Sequence, residues 1–151
     1  MPQSLAQVWI HIVFSTKHRR ALLQSDTLRD EMHRYLSGIS AKLDCPAVVV
    51  GGTEDHVHLL GRQSRTITLA DWVKELKRAS SLWAKTKGSQ WSRFQWQAGY
   101  GAFSVSQSRH ADVQRYIKSQ AEHHRRLSFQ DELRELLRKH RIEFDEKYVW
   151  D

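Results

Sequence analysis

Two histidines one residue apart, in the stretch Asp55-His56-Val57-His58-Leu59-Leu60, are the residues of this chain best placed to do chemistry. The stretch is short and apolar and reads as a β-strand. Side chains alternate along a strand, so His56 and His58 share one face while Val57 and Leu59 pack on the other. Two imidazoles side by side supply half of a divalent-metal site. The plainer account is a pair of half-buried histidines on a sheet. A second element bears on the choice. Tyr116 and Gln120 stand one helical turn apart and emerge from the same patch of helix. A glutamine carbonyl is a suitable hard ligand for Mg²⁺ or Mn²⁺ beside two imidazoles. A tyrosine can be a covalent nucleophile, although its pKa of about 10 leaves roughly one part in a thousand ionised at neutral pH. Closing that gap costs about 4 kcal/mol, which a nearby cation or a general base must supply. By spacing alone the plain reading prevails, with Tyr116 a boundary aromatic and Gln120 an exposed helix residue.

The elements that must position these residues follow from periodicity. Residues 7–14 alternate as a strand, with Val8, Ile10, Ile12 and Phe14 on one face and Trp9, His11 and Val13 on the other. A basic loop, Thr16 to Arg20, comes next. Leu28, Met32, Tyr35, Leu36, Ile39 and Leu43 recur at helical spacing from Asp26 to Leu43, and Cys45-Pro46 ends that helix. Residues 47–51 are a β-branched strand, and Gly52 to Asp55 turns the chain into the histidine strand, 56–61. Thr68 and Asp71 open a helix with Leu69, Trp72, Val73, Leu76 and Trp83 inward; Lys74, Lys77, Arg78 and Lys85 lie on its other sides. Thr86 to Gly101 is irregular, and residues 102–106 form a fourth strand. A helix from Arg109 to Arg125 carries Val113, Ile117, Ala121 and His124 inward, flanked by Tyr116, Gln120 and His123. Ser128 and Asp131 cap a last helix with Phe129, Leu133, Leu136 and Leu137 on one stripe.

Strand, helix, strand, strand, helix, strand is the split βαβ plan of a ferredoxin-like α+β domain: an antiparallel sheet with helices on one face, plus C-terminal helices carrying the tyrosine. The first and third strands are then central neighbours, and His11 joins His56 and His58 on the open face. The length of 151 residues suits one domain, with a core at about 7–125 and a helical extension at about 128–151. A net charge of +7 and six tryptophans favour a polyanionic partner, nucleic acid before an acidic membrane surface. No apolar run approaches the roughly 20 residues of a membrane helix. The single cysteine, Cys45, excludes an intrachain disulfide and fits a reducing cytoplasm.

His56-Val57-His58 resembles the HUH motif, and Tyr116-Ile117-Lys118-Ser119-Gln120 resembles the Y-x-x-x-Q helix that pairs with it. Together they are similar to the single-tyrosine HUH transposases of the insertion-sequence and REP-associated type. Further matches are the strand through Trp9, His11 and Phe14 with Lys17 to Arg20 behind it, Leu76 to Ser81, and Trp96 to Ser106. H-x-H alone is weak; the ordered set, from Trp9 to Gln120, is specific.

The resemblance implies metal-assisted cleavage and rejoining of single-stranded DNA near hairpins. Tyr116 would be the nucleophile, forming a 5′-phosphotyrosine intermediate, and His56, His58 and Gln120 would hold Mg²⁺ or Mn²⁺. It also implies a homodimer whose active sites can be shared between subunits. His11 would support the site or pack. Asp55 would orient a ligand or serve the turn, and His123 would be an alternative ligand, a phosphate contact or a solvent-facing residue. Lys17, Arg19, Arg20, Lys77, Arg78, Arg93 and Trp96 are the candidate DNA contacts. Two other readings stay open: a silent binder of structured single strands, and a metal-dependent phosphodiesterase using water.

Overall fold

A computed structural model describes residues 2–151. Its sheet has four antiparallel strands, β1 (Trp9–Ser15), β2 (Ala47–Gly52), β3 (His56–Arg62) and β4 (Gly101–Val105), in the order β2-β3-β1-β4. The central pair is therefore β1 and β3, as the split βαβ plan requires. Opposite residues are Val13 and His58, and Ser15 and His56. This register makes His11 a diagonal neighbour of His58 on one face.

Helices α1 (Asp26–Lys42) and α2 (Leu69–Ala84) cover the other face. Each starts on a side-chain cap, Ser25 accepting from the Leu28 amide and Thr68 from the Asp71 amide. Ile10, Ile12, Phe14, Val57 and Leu59 from the sheet meet Leu28, Met32, Leu36, Trp72 and Leu76 from the helices. Val8, assigned by alternation to this core, lies before β1 and is exposed. The buried Trp72 indole is paired: its Nε1 donates to Ser40 Oγ at 2.9 Å, tying α2 to α1.

The histidine face is not open. Helices α3 (His110–Lys118), α4 (Gln120–His123) and α5 (Phe129–Lys139) cover it. Phe129, Leu133 and Leu137 of α5 form a second core with Val13 and Phe103. An apolar stripe on α5 needs a surface to bury against, and the sheet face supplies it. The single helix expected over Arg109–Arg125 is two, broken at Ser119 (φ −97°, ψ 19°). The break turns Gln120 into the interior and Ala121 out to solvent, the reverse of the periodic assignment. Gly51 of β2 lets α3 sit close: a Cβ there would stand 2.4 Å from the Ile117 carbonyl oxygen.

Candidate active site

Because β3 alternates, His56 and His58 point together into the space between sheet and C-terminal helices, and both are fully buried. Each ring is held by its Nδ1. His56 Nδ1 lies 2.7 Å from Asp55 Oδ1 and 3.0 Å from Thr53 Oγ1. His58 Nδ1 lies 2.8 Å from His11 Nε2. Both Nε2 atoms are thereby turned to the same point, the arrangement in which an outer partner orients a metal-binding imidazole. His11 and Asp55 are thus both in contact with the pair. Gln120 completes the expected triad, its Oε1 2.9 Å from His56 Nε2.

Tyr116 reaches the same place from α3. Its ring centroid is 5.7 Å from that of His58 and 6.1 Å from that of His11, all within one chain. Its hydroxyl donates to Glu132 Oε2. Glu132 is the residue that sequence reasoning missed. It projects from α5, almost wholly buried, and Oε1 lies 3.0 Å from His58 Nε2 and 3.0 Å from His124 Nε2. His56 Nε2 is 3.5 Å away, and Gln120 Nε2 donates to Oε2 at 3.0 Å. A signal existed: in Phe129, Glu132, Leu133, Leu136 the glutamate occupies an apolar position of the helical stripe. His124 faces the site, whereas His123 is partly exposed with Nε2 3.6 Å from Glu132 Oε2.

The electrostatics follow from this packing. Burial alone would raise the Glu132 carboxyl, but His58, His124 and His56 outweigh it and hold it well below the carboxylate range. Burial, then the Glu132 charge, raises the Tyr116 phenol. Burial lowers His58 and lowers His11 further. The resulting state is an anionic carboxylate, a neutral phenol and a shell of imidazoles. Imidazole nitrogens, an amide oxygen and a carboxylate form a donor set that fits a divalent transition ion, and the nearest atoms of His56, His58, His124 and Glu132 all lie within 4.8 Å of one another. A cavity of about 550 Å³ opens beside Tyr116, lined by Phe103, Arg109, Lys139 and His140 among others.

The candidate DNA contacts are scattered. Lys17, Arg20, Arg78 and Arg93 are exposed, and Arg78 pairs with Glu75 at 2.8 Å. Arg19 is half-buried, its guanidinium 5.7 Å from the Trp150 ring centre. Two candidates are structural instead. Trp96 packs edge-on against Phe14 and Phe94 and donates to Ser80 Oγ at 2.9 Å, so its ring has no free face. Lys77 donates to the carbonyls of Gln97, Ala98 and Gly99 at 2.9, 3.2 and 2.6 Å, and burial pulls its ammonium down to about 8.

Residues 4–120 match the family model described as "Transposase IS200 like". The chain is 29% identical over 119 residues to the ISDra2 transposase TnpA of Deinococcus radiodurans, covering 76% of this chain and 84% of that protein. It superposes on a Deinococcus radiodurans R1 crystal structure described as a transposase, with a TM-score of 0.62 and 26% identity over 80% of this chain and 95% of that one. The fold is also that of a REP-associated tyrosine transposase solved bound to a REP hairpin (TM-score 0.56, 12% identity, 79% of this chain and 70% of that one). With a match that runs from before β1 to Gln120, this chain belongs to the IS200-like transposase family.

Proposed function

We propose that this transposase cleaves and rejoins single-stranded DNA beside hairpins, through a covalent bond between Tyr116 and a 5′-phosphate. The observation that carries the reading is convergence. Tyr116 from α3, His56 and His58 from β3 and Gln120 from α4 all reach one buried point, where Glu132 binds the phenol, His58 and Gln120.

His56, His58 and Gln120 would hold a divalent cation, Mg²⁺ or Mn²⁺. When bound, that ion supplies Lewis-acid polarisation of a scissile phosphate and offsets charge on its oxygens. Asp55 and His11 keep the two imidazoles turned inward, so their geometry is set before DNA arrives. Tyr116 would pass its proton to the Glu132 carboxylate that already accepts from its hydroxyl, and its oxygen attacks phosphorus. The P–Oη bond forms, the P–O3′ bond breaks, and the departing O3′ takes a proton from water to become a free hydroxyl. The phosphodiester energy is kept in the tyrosyl ester, and a 3′-hydroxyl attacking it rejoins a strand without a nucleotide cofactor. The cavity beside Tyr116 gives a nucleotide room to approach. Lys17, Arg19, Arg20 and Arg93 are the proposed contacts to the hairpin backbone, and hairpin-bearing single strands the proposed partner. A homodimer is the proposed assembly.

The test is to incubate the protein and Mn²⁺ with labelled hairpin-bearing single strands and examine a denaturing gel. A band in which protein and label stay joined is expected. Free fragments without that band would point to hydrolysis by water, and retarded but uncut DNA to a binding module.

A further inference from the structure

Resting on the reading that His56, His58 and Gln120 hold a cation, we propose that Glu132 and His124 are ligands of the same ion. The site is then a set of three imidazoles, a carboxylate and an amide oxygen, which selects a transition metal over Mg²⁺.

The donor spacing carries this assignment. With metal–ligand bonds of about 2.1 Å, adjacent ligand atoms stand about 3.0 Å apart in an octahedron and about 3.4 Å apart in a tetrahedron. Here Glu132 Oε1 stands 3.0 Å from His58 Nε2, 3.0 Å from His124 Nε2 and 3.5 Å from His56 Nε2, while Gln120 Oε1 is 2.9 Å from His56 Nε2. These separations match those that ligands around one ion would have. His124 presents its Nε2 to the same carboxylate oxygen that faces His58.

Glu132 is not a stray surface acid. Phe129, Leu133 and Leu137 on the same helix are buried against the sheet, so α5 can dock only with this carboxylate inside. A carboxylate taken out of water is costly unless it is paired or coordinates a metal. Its second oxygen accepts from Tyr116 and Gln120, which leaves Oε1 facing the imidazoles. Glu132 would thus tie the nucleophile and the cation site together through one carboxylate.

Selectivity follows from donor chemistry. Mg²⁺ favours oxygen donors and retains several waters, whereas imidazole-rich sites suit later divalent ions. His124 and Glu132 lie beyond the matched span, which ends at Gln120, so this ligand set is a property of the chain's C-terminal portion.

Calorimetric titration of the metal-free full-length protein with Mn²⁺, Zn²⁺ and Mg²⁺ tests the proposal. Wild-type protein is expected to bind Mn²⁺ and Zn²⁺ at least tenfold more tightly than Mg²⁺. Glu132→Gln, which keeps the shape of the side chain, and His124→Ala should each weaken Mn²⁺ binding by tenfold or more. Pulsed electron paramagnetic resonance of the Cu²⁺-loaded wild type, which needs no variant to fold, should count three imidazoles. If both variants bind Mn²⁺ like wild type while His56→Ala does not, or if only two imidazoles are counted, the added ligands are wrong and the HUH site stands. Tighter Mn²⁺ binding by Glu132→Gln would also overturn the proposal, making the carboxylate a competitor for the site. Wild-type protein that binds none of the three ions would sink the underlying reading as well.

Discussion

Glu132 Oε1 stands 3.0 Å from Nε2 of His58, so the last helix makes a buried polar contact with the centre of the sheet. The same carboxylate accepts from the Tyr116 hydroxyl. The nucleophile candidate and the HUH pair are therefore joined inside one chain, by a residue outside the span matched to the family.

That connection bears on how subunits cooperate. Tyr116→Phe is expected to keep DNA binding and lose the covalent adduct below detection. His56→Ala should also form no adduct. Because Tyr116 already sits against His58 of its own chain, mixing the two variants should restore nothing. Recovery of the adduct band in the mixture would show that the tyrosine serves a partner's histidines.

The placement of α3 depends on a missing side chain. A Cβ at Gly51 would meet the Ile117 carbonyl oxygen at 2.4 Å, one residue from Tyr116. Backbone cannot swing aside like a side chain, so Gly51→Ala should cost about 1–3 kcal/mol of stability through overpacking. It should also reduce adduct yield by displacing the tyrosine. Chemical denaturation and the gel assay read the two effects; an unchanged protein in both would mean that α3 is not held by this contact.

Lysines 17 and 77 should behave oppositely. Lys77→Met strands three carbonyl acceptors and should destabilise the fold by about 1–3 kcal/mol while leaving the salt dependence of DNA binding alone. Lys17→Ala or Arg20→Ala should leave stability unchanged but lower the slope of log K against log salt by about 0.7–0.9 if each contacts one phosphate. A slope change for Lys77→Met and none for Lys17→Ala would reverse the assignment.

Acid should weaken the fold through His33. Burial pulls this imidazole down to about 4, and its Nε2 has no hydrogen-bond partner. The unfolded chain takes up the proton near 6.5, the folded chain only near 4. Stability is thus complete above pH 6.5 and falls as the pH drops towards 4, by at most about 3 kcal/mol. His33→Leu should flatten that part of the stability profile, measured by urea denaturation at several pH values. An unaltered profile would assign the acid sensitivity elsewhere.

Much of the fold was legible because its signals are local. Alternation in β1 and β3, the Thr68 and Ser128 caps and the α1 stripe each depend on residues within a few positions, and each element begins within about two residues of its expected start. The shared face of His56 and His58 follows from type and spacing, whereas for Tyr116 and Gln120 spacing alone favours the plain reading and the family resemblance singles them out; the structure brings all four side chains together. Local pattern failed where a partner decides. Ser119 interrupts a periodic helix, Trp96 turns from an available aromatic into core, and Lys77 spends its charge on loop carbonyls.

By itself, the amino-acid order determined the split βαβ plan, the common side of the two histidines and the one-turn spacing of tyrosine and glutamine. Periodicity is a property of neighbouring residues, so it needs no distant partner. Only the tertiary structure decided that the histidine face is covered, that Glu132 lies among the imidazoles and that the phenol meets its own chain's pair. Those outcomes depend on which apolar surfaces bury each other across the chain, and hydrophobic burial is non-directional until the whole shape is set.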